Sequence, residues 1–521
     1  MRKAAMKIMR IRTHTLNGDI NEGALDQSVY TLSAGERAAL TAAGIPFPST
    51  PITAANTPFP SLRCIANGLL NRSATSQRNQ GLSGQLNWKG QTGSVKHQAV
   101  AGGAYDRSRV SFSQSTQLGY LNPDRSITTI PSFADGVTGG DVDGVPFDNR
   151  VDLQARTTTW SVFAADTLSF GDTAHLTVSG RYNRVTVQNR DRILPGPNPA
   201  SLDGDHRFQR FNPAVGITWV PSKSLQAYAG YNEGSRAPTA IELGCANPDN
   251  PCKLPNALAG DPPLKQVVTK TVEAGLRGSL PGGGNWHAGV FRATNFDDLL
   301  FVAAPNANGF GYFKNFGKTR RQGLELSAST RVGPAQLAVS YTHLDATFRS
   351  AEEVNGAGNS SNEEGAGLEG EIEIRPGDRI PLVPRRLFKA SAEIELGPKW
   401  SVDLDLIGVS GVYARGNENN QHQPDGTFYL GEGKTGGYGV MNLGASFQPT
   451  KGLKVFLKVN NVFDRQYATG AQLGATGFDA NGNFQARPFP AVAGEFPLQG
   501  STFYAPGAPR SVLLGVRYSF Q

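Results

Sequence analysis

Seven histidines (His14, His97, His175, His206, His287, His343 and His422) could supply metal ligands or a general base, and three cysteines could supply thiolates. Their spacing supports neither use. No two histidines stand in H-x-x-x-H register, and none has a cysteine at a zinc-like distance. No G-x-S-x-G or other nucleophile motif comes with a recognisable His/Asp companion. Glu352, Glu353, Glu363, Glu364, Glu369, Glu371 and Glu373 crowd one stretch. Calcium takes about six to eight oxygens, but the D-x-D-x-D-G register is missing, so a solvated loop is preferred to a cation site. Residues 365–370 (GAGLEG) fit G-x-G-x-x-G. A dinucleotide turn needs a strand before it and a helix after it, whereas this one lies in a Ser/Asn/Gly-rich loop and reads as coincidence. Cys245 and Cys252 enclose ANPDNP. A small-loop disulfide in an oxidising compartment is their leading use, stabilising that loop by about 2–3 kcal/mol; a metal-binding or reactive pair is the lesser alternative. The chain thus offers no catalytic residue, no metal site and no cofactor motif, and is read as not an enzyme.

Any site would have to be carried by strands, because period two runs through the chain. The last stretch sets Val512, Leu514, Val516, Tyr518 and Phe520 on one face and Ser511, Gly515, Arg517 and Ser519 on the other, with Leu513 the one apolar exception. Phe388, Ala390, Ala392, Ile394 and Leu396 alternate with Lys389, Ser391, Glu393 and Glu395. Leu176, Val178 and Tyr182 alternate with Thr177, Ser179, Arg181 and Asn183. Successive side chains on a strand point to opposite faces, so each run has one oily and one wet surface. A soluble sandwich alternates too, but with strands of about 5–6 residues. Here the runs last about 10–16 residues, near the 9–11 that a tilted strand needs to cross a bilayer.

Connection length decides between the two. Short turns fall at 170–173, 221–224, 280–284, 332–334, 397–399 and 449–452. Long polar segments fall at 188–207, 235–265, 303–311, 350–378, 416–436 and 468–509. Alternation of tight periplasmic turns with long extracellular loops is the pattern of an outer-membrane barrel, and a sandwich has no reason to sort its loops by size. The breaks predict an all-β, antiparallel transmembrane β-barrel of about sixteen strands: a partial one near 7–14, then runs starting near 79, 94, 155, 174, 208, 224, 266, 285, 312, 335, 380, 400, 438, 452 and 510. Residues 1–78 are expected to be that partial strand and a long irregular outer loop, and 79–521 the barrel. Trp160, Tyr182, Trp219, Tyr231, Trp286, Tyr518 and Phe520 gather toward the ends of runs, as interfacial girdles would.

Composition narrows the class further. No stretch approaches the ~18 consecutive apolar residues of a spanning helix. Lys+Arg 50 against Asp+Glu 43 gives +7, which suits an anionic surface or ligand, while the absence of any Lys/Arg run argues against a nucleic-acid partner. The start, MRKAAMKIMR, is basic but is followed by the polar IRTHTLNGDINEG instead of the about 7–15 apolar residues of an export signal.

Four segments carry a family resemblance. Residues 231–238 (YNEGSRAP) resemble the Y-S-x-G-[FY]-R-A-P signature of TonB-dependent outer-membrane receptors, through Tyr231, Gly234, Arg236 and Pro238. Residues 315–325 (NFGKTRRQGLE) are similar to their N-x-G-x-x-x-x-G-[LVF]-E strand, through Asn315, Gly323 and Glu325. Residues 459–467 (VNNVFDRQY) resemble the penultimate-strand motif, through Asn460, Asn461, Phe463, Asp464 and Tyr467. The close, 509–520 (PRSVLLGVRYSF), looks like their terminal strand, with Phe520 the aromatic read by the barrel-assembly machinery.

The resemblance implies a barrel of about 22 strands around a plug, driven by the TonB complex and set in outer-membrane lipid and lipopolysaccharide. It implies capture of a scarce ligand: a ferric siderophore first, then cobalamin, haem or a saccharide. Outer-loop residues would do the capturing, Tyr312, Phe313, Arg487, Phe489 and Tyr504 among them, with Phe301, Tyr429, Phe484 and Phe503 nearby in kind. Against that pattern, the signal, plug and first six or so strands are expected to be missing, through a misassigned start or a truncated gene. The wall is then expected to be open or poorly closed. A sixteen-strand porin-like diffusion channel and a non-transporting surface barrel remain the alternatives.

Overall fold

The structure, a computed structural model, describes residues 2–20, 29–30, 52–53, 68–121, 126–129, 139–142, 145–197, 201–244, 252–253, 264–280, 283–303, 310–476, 478–482 and 499–519, apart from positions 357 and 369 and together with 34, 38, 41 and 497. Sixteen long strands make one antiparallel sheet. They are β1 Arg2–Ile20, β2 Gly68–Thr92, β3 Val95–Leu121, β4 Val145–Phe170, β5 Ala174–Asp191 and β6 Gly204–Ser222. Then come β7 Leu225–Arg236, β8 Val267–Leu280, β9 Gly284–Ala303, β10 Phe310–Val332 and β11 Ala335–Phe348. The last five are β12 Arg386–Glu395, β13 Trp400–Val409, β14 Tyr438–Thr450, β15 Leu453–Asn460 and β16 Ser511–Tyr518. Each pairs with its neighbours in the chain, β1 with β2 and so on to β15 with β16. Among the described residues no ladder joins β16 to β1, so the wall is open along that seam.

The expected starts after short turns agree with the structure to within a residue, because a turn residue pins each of them. Gly333 opens the two-residue turn between β10 and β11 with φ 57, a conformation that costs glycine nothing and fits a hairpin turn. Starts at the outer ends fare worse. β2 begins at Gly68, not near 79, and β4 at Val145, not near 155, while β12 begins at Arg386, not near 380. The strand expected to be partial, near 7–14, runs from Arg2 to Ile20 and is paired along its length, Arg2 opposite Leu86 through Ile20 opposite Gly68. Beyond the apolar band the ladder continues through polar residues on both faces, so hydrophobic alternation stops reporting it.

Register sorts the faces. Trp160, Val162 and Phe170 of β4 stand on the same side as Val178 and Tyr182 of β5 and Phe211, Val215, Ile217 and Trp219 of β6, all of them exposed. The opposite side carries Ser161, Arg181, Asn183 and Asn212. Trp160 and Phe170 are ten residues apart on one face, about 33 Å along the strand at ~3.3 Å per residue. At the usual tilt of roughly 40° that is about 25 Å of depth, the height of an outer-membrane apolar band with an aromatic at each edge.

An arginine placed at mid-depth on the lipid side should therefore cost far more than one on the inner side. Val290→Arg, on the outward face of β9, is expected to destabilise the inserted form by about 2–4 kcal/mol. Ser327→Arg, on the inner face of β10, should change it by no more than about 0.5 kcal/mol. Urea titration in lipid vesicles followed by tryptophan fluorescence measures both, and equal losses would reverse the face assignment.

Candidate functional site

The buried apolar residues lie at the outer mouth. Phe112, Val151 and Leu153, on the inner face of β3 and β4, pack with Leu202 from the β5–β6 loop. Beside them Ala155 and Val187 pack with Ala240, Leu243 and Leu264, which the β7–β8 connection folds inward. That connection holds the short helix α1, Ala240–Gly244. Its start is a capping box: the Glu242 N–H donates to Thr239 Oγ1 at 3.2 Å, and the Thr239 N–H donates to the Glu242 carboxylate at 2.7 Å. Arg236 donates to the same carboxylate at 2.7 Å, and Asn189 donates to the Ala240 carbonyl at 2.9 Å. Arg236 therefore fixes the direction in which the chain leaves β7. The Tyr231 hydroxyl donates to Glu233 at 2.6 Å, and Glu233 also receives Arg210 at 2.5 Å, with Lys270 3.4 Å away. Pro238 is buried under α1's approach, and Gly234 faces open space.

Asn315 does the same work one hairpin on. Its Oδ1 accepts the Lys265 N–H at 2.8 Å, and its Nδ2 donates to the carbonyls of Lys265 and Asp297 at 3.1 and 2.9 Å. Asp297 has φ 52 and breaks the regular ladder, so the asparagine stands in for backbone partners that the bulge removes. At Gly323 a Cβ would collide with the His343 carbonyl oxygen, and the Phe291 ring lies across the gap. Glu325 faces the lumen opposite Gly289. At the β15 end, Asn461 (φ 50, 2% exposed) donates to the carbonyls of Arg465 and Ala508 at 2.9 and 3.1 Å and accepts the Arg465 N–H at 2.9 Å. Asp464 accepts the Arg510 N–H at 2.9 Å, Asn460 donates to Ser511 Oγ at 3.1 Å, and the Tyr467 ring lies 4.3 Å from that of Tyr438. Phe463 is exposed.

The loops after β11, β13 and β15 fold together. Glu352–Asn355 pairs with Glu371–Ile374, and Val354, Ile372 and Ile374 pack on Phe316 and Phe348. Two of the crowded glutamates have cation partners at that hairpin: Lys314 reaches Glu352 at 2.5 Å and Arg375 reaches Glu373 at 2.7 Å. Tyr429, 2% exposed, accepts from Asn362 Nδ2 at 3.0 Å and from the Gly367 N–H at 3.1 Å, so the GAGLEG stretch wraps a tyrosine. His422 accepts the Ser360 N–H at Nδ1 (3.1 Å) and donates from Nε2 to the Gly431 carbonyl (2.9 Å). That pairing fixes a neutral ring. Burial holds its pKa below the usual value, outweighing the Gly431 bond and the nearby Asp425 and Glu432, and burial raises that of Tyr429.

Below this layer the inner face is polar. A cavity of about 680 Å³ opens there, with Gln226, Arg277, His287, Ser327, Lys389 and Asp405 in its lining. Of the residues expected to capture ligand, Phe313 is half-buried and packs against the clusters around α1. Tyr504 is 48% exposed on Gly500–Pro506, which pairs with Ala468–Ala475. The backbone of Tyr312 lies in β10, while its side chain, Arg487, Phe489, Phe520, Cys245 and the Cys252 side chain lie outside the described residues. Sequence reading missed Glu233, Glu242, Asn359, Asn417 and His422. Only Glu242 carried a local signal, as the fourth residue of T-x-x-E. The others are read through partners distant in sequence: Arg210 for Glu233, Gly416 for Asn359, Gly433 for Asn417 and Ser360 for His422.

An oily outward band, a polar inner face and a folded loop layer over one end define a transmembrane β-barrel wall with a receptor-type mouth. The chain belongs to the TonB-dependent receptor-like β-barrel family, whose pattern it matches over residues 11–462. Barrels of this family are outer-membrane proteins of Gram-negative bacteria, and they serve as transport receptors. The ferrioxamine receptor of Yersinia enterocolitica is 22% identical over 384 residues, covering 72% of this chain and 45% of that protein. The siderophore receptor PiuA of Acinetobacter baumannii superposes with a TM-score of 0.58 at 15% identity, over 87% of this chain and 62% of its own. The closed form of the ferric-catecholate import receptor Fiu of E. coli K12 superposes with a TM-score of 0.56 at 14% identity, over 99% and 72%. The chain thus spans less than half the length of the ferrioxamine receptor.

Two outcomes follow from the loop geometry. The folded state favours neutral His422, so its contribution is complete above the unfolded value near ~6.5 and is lost as pH falls through that value toward the depressed folded one. Hydrogen exchange at the Ser360 amide should lose protection as pH falls below about 6.5, and His422→Gln should abolish the pH dependence. Asn461→Ala strips three hydrogen bonds from a buried turn and should cost about 2–4 kcal/mol, read as faster exchange at Arg465 and Arg510 with β5–β6 unchanged.

Proposed function

We propose that this chain is the barrel portion of an outer-membrane receptor that captures a ferric siderophore for TonB-driven uptake. The observation that carries this reading is a rigid, hydrogen-bonded loop layer set over a polar-lined lumen in a chain of this family. Such a mouth presents a preformed surface, which lowers the ordering cost of binding a chelate. The ferrioxamine receptor and PiuA are siderophore receptors by name, and the net charge of +7 suits an anionic complex. Tyr504, half-exposed beside Phe503 at the mouth, joins Tyr312, Phe313, Arg487 and Phe489 as the capture set. Tyr429 is a loop-packing residue in this scheme. Tyr231, Gly234, Arg236, Pro238, Asn315, Gly323, Glu325, Asn460, Asn461, Phe463, Asp464 and Tyr467 build the mouth. A Cys245–Cys252 disulfide stiffens the β7–β8 loop, Phe520 addresses the chain to the assembly machinery, and outer-membrane lipid surrounds the wall.

The test uses the 521-residue chain fused to a signal peptide in cells that lack their own siderophore receptors. Surface binding of a ferric hydroxamate is expected, weakened about tenfold, or ~1.4 kcal/mol, by joint Tyr504→Ala and Arg487→Ala. No binding would sink the siderophore reading, and steady open conductance in a planar bilayer would favour the diffusion channel.

A further inference from the structure

The outward face of β3 and β4 carries a polar pair where lipid should be. His97 on β3 and Asp166 on β4 lie on the same side as Trp160, Val162 and Phe170: His97 stands opposite Leu168, and Asp166 stands opposite Ala99 and Val178. His97 Nδ1 donates to the Asp166 carboxylate at 2.7 Å, and the Trp88 ring lies 5.8 Å from the imidazole. Other outward rows are uncharged through the apolar band. Every second residue from Ala174 to Tyr182 on β5, from Phe211 to Trp219 on β6, from Phe388 to Ile394 on β12 and from Val512 to Tyr518 on β16 is free of Asp, Glu, Lys, Arg and His.

The pair lies inside that band. Asp166 is four residues above Phe170 on one strand, about 13 Å along it and so about 10 Å from the periplasmic edge at a tilt of roughly 40°. A charged side chain facing lipid costs more the deeper it lies, and ionisable groups at such depth turn toward protein or pair with one another. Here the pairing is incomplete. In the charged pair the imidazolium keeps a second N–H, at Nε2, and the carboxylate keeps lone pairs beyond the one it uses. Neither residue makes another hydrogen bond among the described residues, and Asp166 Oδ1 has no partner.

The surface beside the pair permits close approach. Ala101 and Ala164 stand opposite one another and are exposed, and one rung further Gly84 pairs with Gly103. A Cβ at Gly84 would meet nothing within 4 Å. In lipid, spans associate through packing at small residues and through polar contacts, because the hydrophobic effect does not draw them together.

Depth identifies the occupant. Acyl chains cannot complete the pair, whereas a protein can if its own polar groups sit at the same level. A second copy inserted in the same direction meets that condition by construction. A two-fold axis along the membrane normal sets His97 of each copy against Asp166 of the other, so that two imidazoliums and two carboxylates alternate in a neutral ring. Four strands at ~4.8 Å spacing and a band ~25 Å tall give about 500 Å² per copy. That is about 1,000 Å² in total, the low end of specific interfaces, so the contact is reversible.

We propose that the outward face of β2–β5 is a reversible dimer interface with a second copy of this chain in the membrane, closed by the His97–Asp166 pairs of both copies. The proposal rests on the membrane-wall reading and is independent of the siderophore reading.

The test is Förster transfer between donor-tagged and acceptor-tagged 521-residue chains in phosphatidylcholine vesicles, over about a hundredfold range of protein-to-lipid ratio. Transfer should exceed random proximity and follow a monomer–dimer equilibrium. Joint His97→Leu and Asp166→Leu should weaken association at least tenfold. Ala164→Trp, which keeps the pair but holds the walls apart, should do the same, and Ile217→Trp, on the outward face of β6, should not. At high dilution in lipid the double leucine variant should resist urea as well as wild type or better, since it takes a charged pair out of lipid; this separates lost association from lost fold. If that variant is less stable, Ala164→Trp alone decides. Transfer at the random level throughout, or a dimer constant that either change leaves unaltered, would overturn the proposal. A chain that inserts, binds a ferric hydroxamate and stays monomeric would overturn it while leaving the siderophore reading intact.

Discussion

In hydrocarbon a backbone N–H or C=O without a partner costs several kcal/mol, and water is not there to supply one. That constraint dictates this molecule. An antiparallel ladder between chain neighbours satisfies each strand's groups with the shortest connections, and it forces period two on the sequence, because one face meets lipid and the other does not. The pairing of β1 with β2 over residues 2–20 and 68–86 obeys the same rule as β15 with β16 at the other end. The ladder is also the scaffold that brings the outer ends of sixteen strands to one level, where the loops can assemble.

The constraint also explains where the core is. A soluble sandwich buries its apolar side chains between sheets, but here the sheet turns them outward, leaving Val162, Ile217 and Val290 exposed to the surrounding phase. The residues fully removed from solvent are at the mouth: Leu153, Leu243, Phe316, Phe348 and Tyr429. There water returns, burial again drives packing, and loops that leave the ladder must find partners for their own backbone. They find them in side chains. Asn359, Asn417 and Asn420 bond carbonyls and amides of neighbouring loops, with Asn420 accepting from the Arg379 N–H at 2.7 Å and donating to its carbonyl at 3.0 Å.

Much of the wall was legible for the same reason it exists. The membrane imposes alternation that can be counted, and tight turns such as the one at Gly333 punctuate it, so strand number and the inner strand ends could be read directly. The outer ends could not. Where β2 and β4 rise above the lipid, residues such as Arg72, Gln77, Asn149 and Gln154 still pair through their backbones, but nothing in their side chains distinguishes ladder from loop. The mouth was less legible still. Phe313 reads as a loop aromatic open to a ligand, yet α1 packs against it; α1 is only five residues long and announces itself by a single T-x-x-E. His422 reads as one of seven scattered histidines, because its partners Ser360 and Gly431 are brought to it only by folding.

The residues that carried the family resemblance have a common physical role. Arg236, Asn315 and Asn461 each sit where the chain quits the ladder, and each uses its side chain to bond groups that the ladder no longer serves: a capping carboxylate, three loop backbone groups around a bulge, and both sides of a tight turn. Gly323 sits where a second backbone comes too close for any Cβ. Such positions depend on the geometry of a strand leaving the membrane and are indifferent to what the loops hold. They identify the family because that geometry is shared. On the proposed reading, choice of ligand belongs to side chains the clamps leave free, such as Tyr504. That separation lets one kind of mouth serve chemically different chelates: the frame is set by bonds to backbone, and only the surface it presents has to change.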